Sequence, residues 1–108
     1  MMKQYRLSRD AELDLVEIAR YVAEKATVEV AEQVLSEIIE SIILIAAHPL
    51  IGRKEERYGK GMYCFPLQRY KIYYRARKVG ILVLHIFHGA RDQKKAWTQS
   101  AGDKKKLT

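Results

Sequence analysis

The apolar residues of this chain change their spacing at His48-Pro49, and that change dictates a fold of two unlike parts. Before it, Ala11, Leu15, Ile18, Ala19 and Val22 recur at helical intervals, as do Ala31, Val34, Leu35, Ile38, Ile42 and Ile45. After it, Tyr70, Ile72, Tyr74 and Ala76 alternate with Lys71, Tyr73, Arg75 and Arg77, the period of a half-buried strand. Ser8 and Thr27 stand where helix N-caps belong, with carboxylates in the turns that follow. The spacing therefore predicts a first helix over about Arg9 to Lys25, two or three linking residues, and a second helix ended by Pro49. So short a link forces an antiparallel helical hairpin. Tyr5 and Leu7 read as a short opening strand, Met62 to Leu67 as another, and Lys78-Val79-Gly80 as a hairpin turn. Ile81 to Phe87 is apolar on both faces, as a central strand would be. The expected order is β-α-α-β-β-β, an α+β fold with the helical hairpin on a small, mainly antiparallel sheet.

At 108 residues the chain has the size of one domain with one modest core. Residues 1–93 read as that domain, and 94–108 as a polar basic tail, expected to be partly disordered. The longest apolar stretch, Ile38 to Ala47, is too short for a membrane span and contains Glu40, so no membrane association is expected. Cys64 is the single cysteine, which excludes an internal disulfide and a Cys-based zinc site and suits a reducing cytoplasm.

Charge divides along the chain as sharply as periodicity does. Residues 10–48 carry nine carboxylates against Arg20 and Lys25. From Arg57 through Arg91 there is no acidic residue, and the whole chain has a net charge of +7. Such a partition points to a surface that meets a polyanion or an acidic protein segment, more than solubility alone requires. Val28, Val30, Ile39 and Ile43 exceed what the second helix needs for one partner, and part of that excess is expected to be exposed as a docking surface. For Ile39 the core is the stronger expectation.

An ordered series of short motifs runs through these elements: Ala11, Asp14-Leu15, Ile18 and Tyr21; His48-Pro49-Leu50-Ile51-Gly52-Arg53; Phe65-Pro66; Arg69-Tyr70 and Ile72-Tyr73-Tyr74-Arg75; then Leu84, Ile86 and His88-Gly89-Ala90-Arg91-Asp92. In this order the series resembles the ParE branch of the ParE/RelE toxin superfamily, the small basic toxins of bacterial type II toxin–antitoxin modules, also known as plasmid stabilisation proteins. The resemblance spans about residues 4 to 93. It implies a cytoplasmic bacterial toxin with no metal and no organic cofactor. It further implies neutralisation by a cognate acidic antitoxin (ParD-like or other) in a hetero-oligomer, with DNA gyrase as the target. The RelE branch supplies the alternative, a ribosome-dependent mRNA endoribonuclease; a non-toxic member acting only as a binding partner is a second.

The candidate residues divide along the same line. Metal-free ribonuclease chemistry needs a base, an acid and cations for the phosphorane charge. His88, Arg69, Arg75 and Arg91 are the available set, with no carboxylate in the strand region. A structural role at a strand end is the stronger reading of His88, and a satisfied core histidine is the stronger reading of His85. His48 suits a helix C-terminus. The sequence therefore leans away from an enzyme. The contact residues expected for antitoxin or target are Arg69, Lys71, Tyr73, Arg75, Arg77, Arg91 and Trp97. Lys71, Tyr73, Arg75 and Arg77 are expected to project together from one strand face, able to grip phosphates or carboxylates. Trp97 either tacks the tail to the body or is presented to a partner. The tyrosines at 5, 21, 58, 63, 70 and 74 are expected to pack with wet hydroxyls.

Overall fold

The computed structural model describes residues 4–89; Arg91, Trp97 and the 94–108 tail lie outside them. The chain runs β1 (Tyr5–Leu7), α1 (Arg9–Lys25), α2 (Val28–Ala47), β2 (Arg53–Lys54), a 3-10 turn (Glu56–Tyr58), β3 (Met62–Leu67), β4 (Tyr70–Ala76) and β5 (Ile81–His88). The hydroxyl of Ser8 accepts the Ala11 N–H at 3.0 Å, and that of Thr27 accepts the Val30 N–H at 3.0 Å, so both expected caps start their helices. Ala26 and Thr27 alone link α1 to α2. The two-residue β2 and the 3-10 turn were not expected from sequence, because two charged residues carry no periodicity to read.

The five strands lie in the order β1-β5-β4-β3-β2. All neighbours are antiparallel except β1 and β5, which pair in parallel from Tyr5–Ile81 to Leu7–Val83. The helical hairpin covers one face of this sheet. Ile38, Ile42 and Ile45 of α2 meet Ile72, Tyr74, Val83 and Ile86 of the sheet, all at 1% exposure or less. Full burial of such an isoleucine contributes about 1.5–3 kcal/mol, which is why the α2 stripe is the backbone of the fold. Its remaining apolar positions divide as expected: Ile39 packs against this core, while Val28, Val30 and Ile43 stay exposed.

The opposite sheet face is not the solvated surface expected from the period-two pattern. Tyr73, Cys64, Met62 and Phe87 form a second buried cluster there, with Tyr58 of the 3-10 turn packed against it. Tyr58 meets the Tyr73 ring edge-on at 5.5 Å between centroids. A bulge makes the cluster possible. Tyr73 pairs with His85 but Tyr74 pairs with Val83, leaving Leu84 as an extra residue in β5. One added residue swaps the faces of everything beyond it. Ile86 thereby enters the core under the helices, and Phe87 goes to the far cluster.

The Tyr74 hydroxyl is buried rather than wet. It accepts the Gly52 N–H at 2.8 Å and donates to the Pro49 carbonyl at 2.9 Å, tying the loop after α2 to the sheet. A side chain at Gly52 would have its Cβ 2.5 Å from that oxygen, so the Pro49–Gly52 turn needs glycine there for close approach.

Burial also displaces the proton affinities of this sheet. The Cys64 thiol and the phenols of Tyr70, Tyr73 and Tyr74 are all pushed above their ordinary values of 9.0 and 10.0, in each case chiefly by loss of water around the charged form. Above the unfolded values the unfolded chain gives up these protons and the native chain keeps them. Stability is therefore full below about pH 9 and falls as pH rises through the displaced native values. Urea titrations between pH 8 and 11, followed alongside tyrosinate absorbance, should show midpoints that decline on the alkaline side. The tyrosinate of Tyr70, Tyr73 and Tyr74 should appear together with unfolding; a midpoint that is flat to pH 11 would contradict the burial of these groups.

Candidate functional site

The chemistry-bearing side chains gather in two places, and both follow from how α1 meets β5. β1 pairs with β5 only as far as Val83, so the edge of β5 beyond it has no strand neighbour. Residues of α1 complete that edge. The Ser8 N–H donates to the Val83 carbonyl at 2.9 Å and the Ser8 hydroxyl donates to the Leu84 carbonyl at 2.8 Å. Asp14 Oδ2 then accepts the Ile86 N–H at 2.9 Å and lies 3.0 Å from His85 Nδ1. Asp10 reaches His85 Nε2 at 3.6 Å. Asp14 and His85 are 7% and 6% exposed, so this is a core histidine held by a carboxylate, out of reach of a large substrate.

Asp14 is the residue that sequence reasoning missed. It reads as one more carboxylate in the early turns of α1, favourable to the helix dipole. Yet it sits three residues after Ala11 and four before Ile18, on the buried stripe itself, and a carboxylate there signals a buried partner.

On the other side of Asp14 a cleft of about 360 Å³ opens between α1 and the sheet, lined by Asp14, Glu17, Ile18, Tyr21, Tyr70, Ile86 and His88. Tyr70 and His88 are paired across β4 and β5. Their rings meet at 5.4 Å and 79°, and Tyr21 approaches His88 at 6.2 Å and 53°. His88 therefore has aromatic company at the strand end. Arg69 is at the same end of the sheet, exposed in the β3–β4 turn, where its carbonyl accepts the Gly89 N–H.

The basic residues of β4 do not form one open row. Lys71 and Arg75 are on the far face, half-buried and exposed respectively. Tyr73 between them is fully buried beneath Tyr58, and Arg77 lies past the strand, in the turn where its N–H donates to the Gly80 carbonyl at 2.9 Å. The expectation that all four project together is corrected by the far-side cluster, which removes Tyr73 from the surface, and by the strand's end at Ala76. Arg75 is further anchored by Nε, which donates to the Lys60 carbonyl at 3.0 Å. Arg91 and Trp97 fall outside the described residues.

The ribonuclease set is likewise dispersed. Arg75 is five residues along β4 from the partner of His88, about 17 Å at strand rise, and it is on the opposite face. An acid–base pair must reach one phosphate within hydrogen-bond distance of both groups. His88 and Arg75 cannot do so together.

Residues 5–93 match the family model of the ParE toxin of the type II toxin–antitoxin system parDE. The chain belongs to the ParE toxin family. Among curated relatives, Toxin ParE1 of Caulobacter vibrioides is 32% identical over 87 residues, covering 81% of this chain and 90% of that protein. Among solved structures, a chain of the chromosomal ParDE system from P. aeruginosa superposes with a TM-score of 0.69 at 22% identity, over 81% of this chain and 96% of the other. That likeness is one of fold: two helices packed on a mostly antiparallel five-stranded sheet. The ParE assignment agrees with the residue series read from the sequence, from Ala11 to the His88-Gly89 strand ending. Among the described residues no helix of this ParE-family chain is long and apolar enough to cross a membrane.

Proposed function

We propose that this ParE-family protein inhibits DNA gyrase as the toxin of a type II module and is neutralised by a cognate antitoxin bound to its basic sheet side. The match of residues 5–93 to the ParE family carries this reading. The separation of His88 from Arg75 supports it against the endoribonuclease alternative, since those two groups cannot act together on one phosphate. Arg69, Lys71, Arg75 and Arg77 supply exposed or half-buried cations for an acidic partner, and the reading extends this set to Arg91 and Trp97. Tyr73 acts from beneath, as the packed floor under Lys71 and Arg75 rather than as a contact.

The test is supercoiling of relaxed plasmid by gyrase, with the purified protein alone and with its antitoxin added. Inhibition reversed by antitoxin, with linear DNA released by detergent and protease, is the expected result. The charge-reversed pair Lys71→Glu and Arg75→Glu should weaken antitoxin binding by about tenfold at low salt, and the difference should shrink at high salt. Codon-positioned mRNA cleavage on ribosomes, lost in His88→Ala, would replace the gyrase reading. Growth unaffected by expression without antitoxin would favour a binding partner that is not toxic.

A further inference from the structure

One end of the sheet gathers cations from three segments of the chain. Arg6 of β1 is paired with Leu82 of β5, and Leu82 is paired with Arg75 of β4. Paired residues rise from the same sheet face, so Arg6 and Arg75 flank Leu82 two strand spacings apart, about 10 Å. Arg77 and Lys78 follow in the β4–β5 turn, and all four cations are exposed. A depression of about 360 Å³ between β1 and that turn is lined by Arg6 on one side and by Arg77 and Lys78 on the other. We infer that this end of the sheet grips the phosphate backbone of duplex DNA. The inference rests on the gyrase reading for the presence of DNA, and on these four residues for the contact.

The fold fixes the positions of these groups. The Gln4 carbonyl accepts the Ile81 N–H at 3.0 Å and leaves no room for a Cβ at Gly80, so the turn is seated against β1. The Arg77 N–H donates to the Gly80 carbonyl at 2.9 Å and closes the same turn. Arg75 Nε donates to the Lys60 carbonyl at 3.0 Å, which orients its guanidinium. Groups placed in this way lose less freedom when they meet a phosphate. The flanking sequence adds to their charge. No acidic residue occurs from Arg57 through Arg91, and the residues outside 4–89 carry seven lysines and arginines against Asp92 and Asp103.

The spread of the cations argues for a polymer of phosphates. One small anion cannot bridge two arginines about 10 Å apart, whereas a duplex presents a charge about every 3.4 Å along each strand. An acidic peptide has carboxylates only where its sequence places them. A backbone has phosphates at every step, which suits cations set at unequal spacings on three segments. Single-stranded nucleic acid would also bring bases that stack on exposed aromatic rings. On this face Tyr73 and Phe87 are buried, so the described surface offers charge for a backbone instead. Antitoxin carboxylates and DNA phosphates then meet at Arg75 and Arg77, and a bound antitoxin excludes DNA from this end.

The experiment is fluorescence anisotropy of a short labelled DNA duplex of mixed sequence, titrated with the full chain at several salt concentrations. Four phosphate contacts should give log K against log salt a slope of about −3.6, and Arg77→Gln with Lys78→Gln should reduce its size by about 1.8. That double variant should also bind more than about tenfold more weakly near 50 mM salt. Both side chains are exposed in a turn closed by backbone groups, so the variant keeps the fold. Arg20→Gln with Lys25→Gln removes the same charge from α1 and should leave the slope unchanged. Equal losses in the two double variants would overturn the inference, because they would show diffuse attraction to a basic protein. An affinity independent of salt, or no binding at roughly 100 μM protein, would overturn it as well. Tighter binding of an RNA duplex or of a poly-glutamate peptide, lost in Arg77→Gln with Lys78→Gln, would also overturn it and reassign the patch. Gyrase is absent from these measurements. Supercoiling inhibited by a protein that does not bind duplex would leave the toxin reading standing and remove this one, whereas duplex binding with gyrase unaffected would remove the gyrase reading and keep the DNA contact.

Discussion

Asp14→Ala is expected to lower stability by about 3 kcal/mol, a drop in melting temperature of roughly 10–20 °C for a domain of this size. The carboxylate performs two tasks that no other described side chain duplicates. It closes the open edge of β5 by accepting the Ile86 N–H, and it holds His85 at 3.0 Å. Removing it orphans a buried backbone donor and a buried imidazole nitrogen, each costing about 1–3 kcal/mol. Asp14→Asn keeps an acceptor of the same shape and should cost about half as much. Asp10→Ala is the control, because Asp10 is 43% exposed at the side chain and 3.6 Å from the ring. It should cost less than about 0.5 kcal/mol. Urea denaturation of the three variants measures all of this, and equal losses for Asp10→Ala and Asp14→Ala would show that the edge contact is not what stabilises the α1–β5 junction.

Gly80→Ala and Gly61→Ala should differ by about 2 kcal/mol or more although both glycines have nearly the same φ. Their φ angles are +76° and +74°, so an alanine at either site bears a left-handed cost of about 1–2 kcal/mol. Nothing lies within 4 Å of a Cβ placed at Gly61. At Gly80 the same atom would fall 1.7 Å from the Gln4 carbonyl oxygen, which accepts the Ile81 N–H and starts the β1–β5 pairing. Gly80→Ala must therefore push the β4–β5 turn away from β1, and the loss includes part of the parallel ladder. Denaturation midpoints give the stability difference, and amide exchange of Ile81 and Val83 locates it. Matching losses at the two sites would mean that β1 yields without cost.

Much of the fold was legible because it is written in local chemistry. The helix limits at Arg9, Lys25 and Ala47 follow from Ser8, Thr27 and Pro49 acting on their own neighbours. β3 and the β4–β5 turn follow from alternation and glycine. The family could be read from residues in series along the chain, and the match over 5–93 bears that reading out. The candidate site was less legible. Tyr73 looked like a surface residue because its neighbours Lys71 and Arg75 are basic, and no local signal announced that Tyr58 would cover it. The wet hydroxyl expected at Tyr74 failed for a related reason: its partners, Gly52 and Pro49, are over twenty residues away in the chain.

The sequence by itself determined both helices and their limits, the strands β1, β3, β4 and β5, and the division of charge into an acidic first half and a basic second half. Those properties depend on backbone dihedral preference, capping and periodicity, all of which act within a few residues. Only the tertiary structure decided which side chains share a site. The Leu84 bulge swapped the faces of Ile86 and Phe87, and the early end of β1 opened an edge for Asp14, 71 residues from His85. Both are consequences of strand register, which is set by packing two sheet faces at once and leaves no periodic trace along the chain.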